Sequence, residues 1–323
     1  MPRAKEKPRK SEGELRAQAG AITTEAMTET LARPAHDPRA ALRDPGYFAL
    51  HLQAAAALRA VGNLGWYDSQ FLRRFEAARR YLEQVCPDRL REFCDGFDAV
   101  RPPAGFREIV IEDVFDPATR QAIIAASRNA AIETFDQQAS ENANFGREVV
   151  WDHPFFLELQ EQVRPRIEAL VGTPLTSSYN FLSRYGANGK CDLHMDHPDA
   201  MYTFDYCIEQ DAVWPIYLSR VVDWPTAQFA RSFDPETIIA DPAYDFAEHL
   251  LHPNRALLFN GSSQWHYRRP KVAGGFCHLL FFHYVPAGCE ALVEPRRWAE
   301  RFGIAELQPL CDLFARPDVD GLA

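Results

Sequence analysis

The chain has 323 residues, 46% of them hydrophobic and 12% aromatic, enough to bury a large core as one elaborated domain or two modest ones. Its formal charge of −10 argues against a general attraction to nucleic-acid phosphates, which relies on Lys and Arg displacing counterions. Seven scattered cysteines without a C-x-x-C pair argue against a disulfide framework or a zinc knot, residues 1–10 lack the apolar run of a signal peptide, and no stretch reaches the roughly 18 apolar residues of a membrane span, so a soluble, cytoplasmic protein is expected.

Residues 1–45 mix Lys, Arg, Glu, Ala and Pro with little periodicity and read as a flexible basic tail. Residues 46–106 read as a helical region. There Phe71, Phe75, Ala78, Leu82 and Val85 recur at helical spacing behind a cap at Asp68 or Ser69, and Pro87 separates a second short helix through Leu90 and Phe93. Residues 107–112 are rich in β-branched side chains and predict a strand, followed by a helix that Asp116 caps and Pro117 opens. A further helix from Asp152 carries Phe155, Phe156, Leu159, Val163, Ile167 and Leu170, with Pro165 as a kink and Gly172 as terminator.

From about residue 174 the chain turns strand-rich, with segments at 178–185, 192–196, 214–220, 255–260, 265–269 and 276–285. Turn signals at Gly186-Ala187-Asn188-Gly189 and Ala273-Gly274-Gly275 divide them. Such short strands suit a double-sheet jelly roll of the cupin type, so the predicted class is α+β with a mostly β core and an N-terminal helical layer. The jelly roll is assigned to 107–290 and a C-terminal helical extension to 291–323. Residues 223–253, aromatic, acidic and weakly periodic, read as a long insertion and a candidate lid.

The chemistry-bearing residues are His194 and Asp196, followed much later by His266. In a strand, residues i and i+2 share a face, so an imidazole and a carboxylate would stand side by side, and a second imidazole completes a set of two histidines and one carboxylate. That set leaves the opposite positions of a non-haem Fe(II) open for a co-substrate and O₂. His197 is expected on the opposite face, Asp199 lies beside it, and His249 and His252 are read as caps or lid residues. Tyr202, Phe204, Tyr206, Trp214 and Trp224 are either core or pocket walls.

Tyr185, Gly186, Gly189, His194, Asp196, the segment 214–219, Gly261, His266, Pro270 and Gly274 together resemble the 2-oxoglutarate and Fe(II)-dependent dioxygenase superfamily, in particular its prolyl-hydroxylase-like branch, over roughly residues 107–286. The resemblance implies His194, Asp196 and His266 as iron ligands, 2-oxoglutarate as co-substrate and O₂ as oxidant. It also implies conversion of 2-oxoglutarate to succinate and CO₂, coupled to hydroxylation of a C–H bond in a small molecule, amino acid or peptide. The family's usual Arg or Lys about ten residues past the distal histidine, which grips the outer carboxylate of 2-oxoglutarate, is replaced here by Phe276. Arg268 is the first substitute anchor, His278 the second, and Tyr185 a hydroxyl partner, while Arg269 and Lys271 read as a solvated turn and His283 as a strand-end residue. Two alternatives stay open: an iron oxygenase or oxidase that does not use 2-oxoglutarate, and a non-enzymatic cupin-like binding protein. The oligomeric state is not legible.

Overall fold

The computed structural model describes residues 36–132, 135–230, 232–271 and 275–316. The tail expected over 1–45 therefore lies outside the described residues up to 35, as do Ala273, Gly274 and positions 317–323 of the C-terminal extension. The chain divides into residues 1–48 and 49–323. In the first unit, Asp37 caps the single turn Pro38–Ala41 by accepting the Arg39 N–H at 3.0 Å, and Pro45 opens the helix Pro45–Val61.

In the larger unit, the helix Gln70–Val85 buries the stripe Phe71, Phe75, Ala78 and Leu82, spaced three and four residues apart as one helical face requires. The stripe meets Phe93 of the helix Pro87–Gly96, then Phe97, and Trp298 of the helix Trp298–Phe302, with Phe75 and Phe97 edge-on at 4.9 Å. Ser69 stands at the predicted cap position, but its hydroxyl donates to Trp66 O at 2.6 Å instead of capping. The helix Pro154–Val171 retains Pro165 inside it and ends where Gly172 adopts the left-handed conformation that only glycine takes without strain. Among the described residues no helix is long and apolar enough to cross a membrane.

The strands form two antiparallel sheets. The first has the order β1-β8-β5-β10-β3-β2, from β1 (Ile109–Ile111), β2 (Arg147–Trp151), β3 (Leu175–Tyr185), β5 (Tyr202–Gln210), β8 (Ala256–Phe259) and β10 (Cys277–Pro286). The second has the order β4-β9-β6-β7, from β4 (Cys191–His194), β6 (Ile216–Leu218), β7 (Ala247–His249) and β9 (His266–Arg268). Alternation sorts the large sheet into two faces. Leu182, Phe204, Tyr206, Leu258, Leu280 and Phe282 join the core shared with the helices. Tyr185, Cys207, Leu257, Phe259, Cys277 and Leu279 pack with Trp214, Ile216 and Leu218 in a second core between the sheets.

This sorting corrects several expectations. β5 is a central strand read in the sequence only as scattered aromatics, and of the two readings of Tyr202, Phe204 and Tyr206 the core one holds, since they face the helices. Trp224 packs against Phe71, Phe75 and Phe97 in the helical layer. The segment 223–253 is not an irregular insertion. It contains the helix Pro235–Ala240 and β7, the edge strand of the smaller sheet, whose His249 pairs with Glu108 at 3.2 Å. Lys271, expected in a solvated turn, is buried against Asp211 at 2.9 Å.

Candidate metal centre

β3 ends at Tyr185, the chain turns through Gly186–Gly189, and β4 returns carrying His194. β4 pairs with β9 so that His194 stands directly opposite His266, which brings the two rings to 4.0 Å between centroids. The strand stops at His194, so Asp196 does not reach the site by simple alternation. Its N–H donates to Gly261 O at 2.9 Å, holding the carboxylate under both imidazoles. Asp196 Oδ1 lies 3.2 Å from His194 Nε2 and 3.4 Å from His266 Nε2. The three ligand atoms fall within 4.8 Å of one another, the only such cluster of three or more among the described residues.

Each imidazole is aimed by its own strand. His194 Nδ1 is 2.8 Å from Asp192 O and His266 Nδ1 is 3.0 Å from Gln264 O, so each Nδ1–H donates to the backbone and each Nε2 is left with a lone pair facing Asp196. Burial would raise the Asp196 carboxyl, but His266 and His194 hold it well below its ordinary value. For His266, burial works against protonation and the Asp196 carboxylate outweighs it, raising the imidazole. His194 is lowered by burial and by His266 beside it. A buried carboxylate with two imidazole Nε2 atoms turned onto one of its oxygens suits a cation between them.

Gly261 is required by this closeness. A Cβ there would collide with Asp196 Oδ2 and stand 2.7 Å from Thr203 Oγ1 and 2.8 Å from Ala200 O. Overpacking by one methyl group costs about 1–3 kcal/mol. Gly261→Ala is therefore expected to weaken divalent-metal binding by roughly tenfold or more while all three ligand side chains remain, as read by calorimetric titration. Unchanged affinity would show that Asp196 is positioned by something else.

The triad floors a cavity of about 520 Å³. One wall is a row of rings across β3 and β10: Tyr179 stacks on His283 at 4.2 Å and Phe181 on Phe281 at 4.6 Å, with Trp151 of β2 beside Phe181 at 4.9 Å. Tyr67, Phe145, Arg147 and the carboxylates Asp68, Glu141 and Asp199 also line it, together with Tyr185 and Arg268. No described residue of 223–253 lines it.

Of the proposed anchors, Arg268 and Tyr185 line the cavity and His278 does not. His278 lies one residue out of step with the inward set 277, 279, 281 and 283, and its imidazole pairs with Glu209 at 3.1 Å on the opposite face. Arg268 is buried and already committed: Nη2 donates to Asp205 Oδ2 and Nη1 to Trp214 O, each at 2.6 Å. Tyr185 accepts from Arg147 Nη1 at 2.9 Å. His197 also departs from expectation, since the chain bends after β4 and the ring enters the cavity lining, paired with Asp199 at 2.9 Å.

Sequence reasoning missed Arg147, Tyr67 and Asp68. Arg147 begins the short strand Arg147–Trp151, whose Glu-Val-Val-Trp run was a legible β signal. Its Nε donates to Glu141 at 2.7 Å, its guanidinium lies 4.7 Å from the Phe145 ring, and among the described residues Nη2 has no hydrogen-bond partner. Burial opposes its charge, but Tyr185, Tyr67 and Glu141 outweigh that and raise its pKa. Tyr67 and Asp68 lie in a loop between helices with no motif of their own.

No protein-family model matches the sequence, and no curated protein matches it. Among solved structures the chain is similar to HygX from Streptomyces hygroscopicus with nickel and 2-oxoglutarate bound, at 14% identity over 61% of this chain and 87% of that one, with a TM-score of 0.45. It is also similar to SnoN, a non-heme alpha ketoglutarate dependent epimerase from nogalamycin biosynthesis, at 12% identity over 62% of this chain and 82% of that one, with a TM-score of 0.42. A third is the viral collagen prolyl hydroxylase of Paramecium Bursaria Chlorella virus-1 in its 2-oxoglutarate complex, at 10% identity over 57% of this chain and 97% of that one, with a TM-score of 0.37. Likeness at these values carries no weight on function, which stands on the triad itself.

Proposed function

We propose that this chain is an Fe(II)- and 2-oxoglutarate-dependent oxygenase on a double-stranded β-helix, with His194, Asp196 and His266 as the iron ligands. The observation that carries the reading is the paired Nδ1 tethering, which turns both Nε2 lone pairs onto one carboxylate oxygen in a buried pocket. Iron bound there with 2-oxoglutarate and O₂ would supply the oxidising power to break a substrate C–H bond. The protein's own residues orient the groups, and the half-buried rings of Trp151, Tyr179, Phe181 and Phe281 limit water around the reacting carbon. The carboxylate ligand Asp196 disfavours halogenation, so hydroxylation of a small molecule, amino acid or peptide is the proposed outcome.

The outer carboxylate of 2-oxoglutarate needs a cation, because an unpartnered buried carboxylate costs several kcal/mol. Arg147 supports that role better than Arg268: its Nη2 is uncommitted, and the Tyr185 hydroxyl sits beside it. Arg147→Met is expected to raise the 2-oxoglutarate concentration needed for succinate formation by about tenfold or more, since charged hydrogen bonds contribute roughly 1.5–3 kcal/mol. An unchanged requirement would send the anchor elsewhere. The reading as a whole is tested by anaerobic Fe(II) titration followed by O₂-dependent succinate formation. A wild type that binds iron but never consumes 2-oxoglutarate would mark an oxygenase of another kind.

A further inference from the structure

The loop joining the helices Pro45–Val61 and Gln70–Val85 touches every segment that carries a member of the triad. Trp66 meets Trp265, the neighbour of His266, edge-on at 4.9 Å. Asp68 Oδ2 accepts the N–H of His197, the neighbour of Asp196, at 2.8 Å. Between these two fixed points, Tyr67 Oη lies 2.6 Å from His194 Nε2, with its ring 4.4 Å from the imidazole and edge-on to Phe145 at 5.0 Å.

Because His194 Nδ1–H donates to Asp192 O, Nε2 holds the lone pair and the Tyr67 hydroxyl donates to it. The phenol oxygen thus stands beside the atom through which His194 would bind a metal. Ligand atoms at right angles on one metal, with bonds of about 2.1 Å, stand about 3 Å apart. The triad separations of 3.2 and 3.4 Å and the Tyr67 contact of 2.6 Å all fall near that spacing.

We propose that Tyr67 is a fourth protein ligand of the metal held by the triad, its oxygen filling one coordination position until the co-substrate displaces it. The inference rests on the oxygenase reading above. On binding, the metal–oxygen bond forms as the phenol O–H bond breaks, the electron pair stays on oxygen, and the proton passes to solvent. No oxidation state changes. Tyr67 is 42% exposed, which leaves its ring room to swing outward when 2-oxoglutarate arrives.

The test uses the full chain loaded with one equivalent of Fe(III) in the absence of 2-oxoglutarate, read by visible absorption and resonance Raman spectroscopy. The expected result is a phenolate-to-iron charge-transfer band with tyrosinate ring modes, bleached by 2-oxoglutarate. The band should be lost in Tyr67→Phe at undiminished iron stoichiometry and kept in Tyr179→Phe and Tyr185→Phe. Full iron loading without such a band in the wild type overturns the proposal, as does a band that survives in Tyr67→Phe. Should Tyr67→Phe fail to fold, the wild type and the other two variants still decide: a band lost in either assigns the phenolate to that residue and overturns the proposal, and a band kept in both supports it. A wild type that takes up no iron overturns the oxygenase reading itself, together with this one.

Discussion

Asp196→Ala is expected to lose stoichiometric Fe(II) binding while keeping its fold. Asp196 Oδ1 is the one atom that both Nε2 lone pairs face, so its removal deletes the only anionic ligand of the cluster and the point on which the other two converge. Without that carboxylate the two imidazoles hold Fe(II) weakly, because the one triad member with a formal negative charge is gone. The fold should persist, since a catalytic metal contributes far less to folding than a structural zinc. His194→Ala should behave alike. Calorimetric titration under anaerobic conditions with near-ultraviolet circular dichroism checks both halves of the expectation, and one-to-one binding that persists in both variants would remove the triad from consideration.

Arg268→Leu is expected to act first on stability. Arg268 and Asp205 form a pair at 2.6 Å in which both side chains are nearly inaccessible to water. Burial pushes the Asp205 carboxyl up and the guanidinium partly pulls it back, so removing the arginine strands a carboxylate with no compensation. Breaking such a pair from one side typically costs about 3–5 kcal/mol, whereas replacing both members with apolar groups of similar volume is often neutral. The double substitution Arg268→Met with Asp205→Leu should therefore recover most of what Arg268→Leu loses, measured as urea midpoints at constant slope. A single-variant loss below about 1 kcal/mol would mean the pair is not holding the sheets together.

Much of this was legible before any coordinates. The short strands of the second half announced themselves by β-branched and aromatic runs between glycine turns, and six expected segments coincide with β3, β4, β6, β8, β9 and β10. His194 and Asp196 could be paired because their spacing is local information, and His266 joined them through the ordered motif of the family resemblance. β5 escaped because its inward positions, Thr203, Asp205 and Cys207, interrupt the apolar pattern of a strand buried on both faces. His278 was misplaced for a related reason. A one-residue error in register turns every side chain to the other face, and counting His278 as inward with Phe276 puts it out of step with 277, 279, 281 and 283, which are the inward set. Arg147 and Tyr67 belong to elements distant in sequence from the triad, and only tertiary packing carries them to it.

The backbone tethers of the two imidazoles have a genetic consequence. The acceptors that orient His194 and His266 are main-chain carbonyls, which every amino acid supplies, so ligand aim does not depend on which side chains stand at 192 and 264. Asp192 is exposed apart from a pair with Lys190 and should accept nearly any non-proline replacement at no cost to metal affinity. Gln264 differs, because its amide also accepts the Asn260 N–H and donates to Ser219 O, stitching the loop before the distal ligand to β6. Variation should therefore be tolerated on one side of the triad and resisted on the other, although the two tethers are alike in geometry.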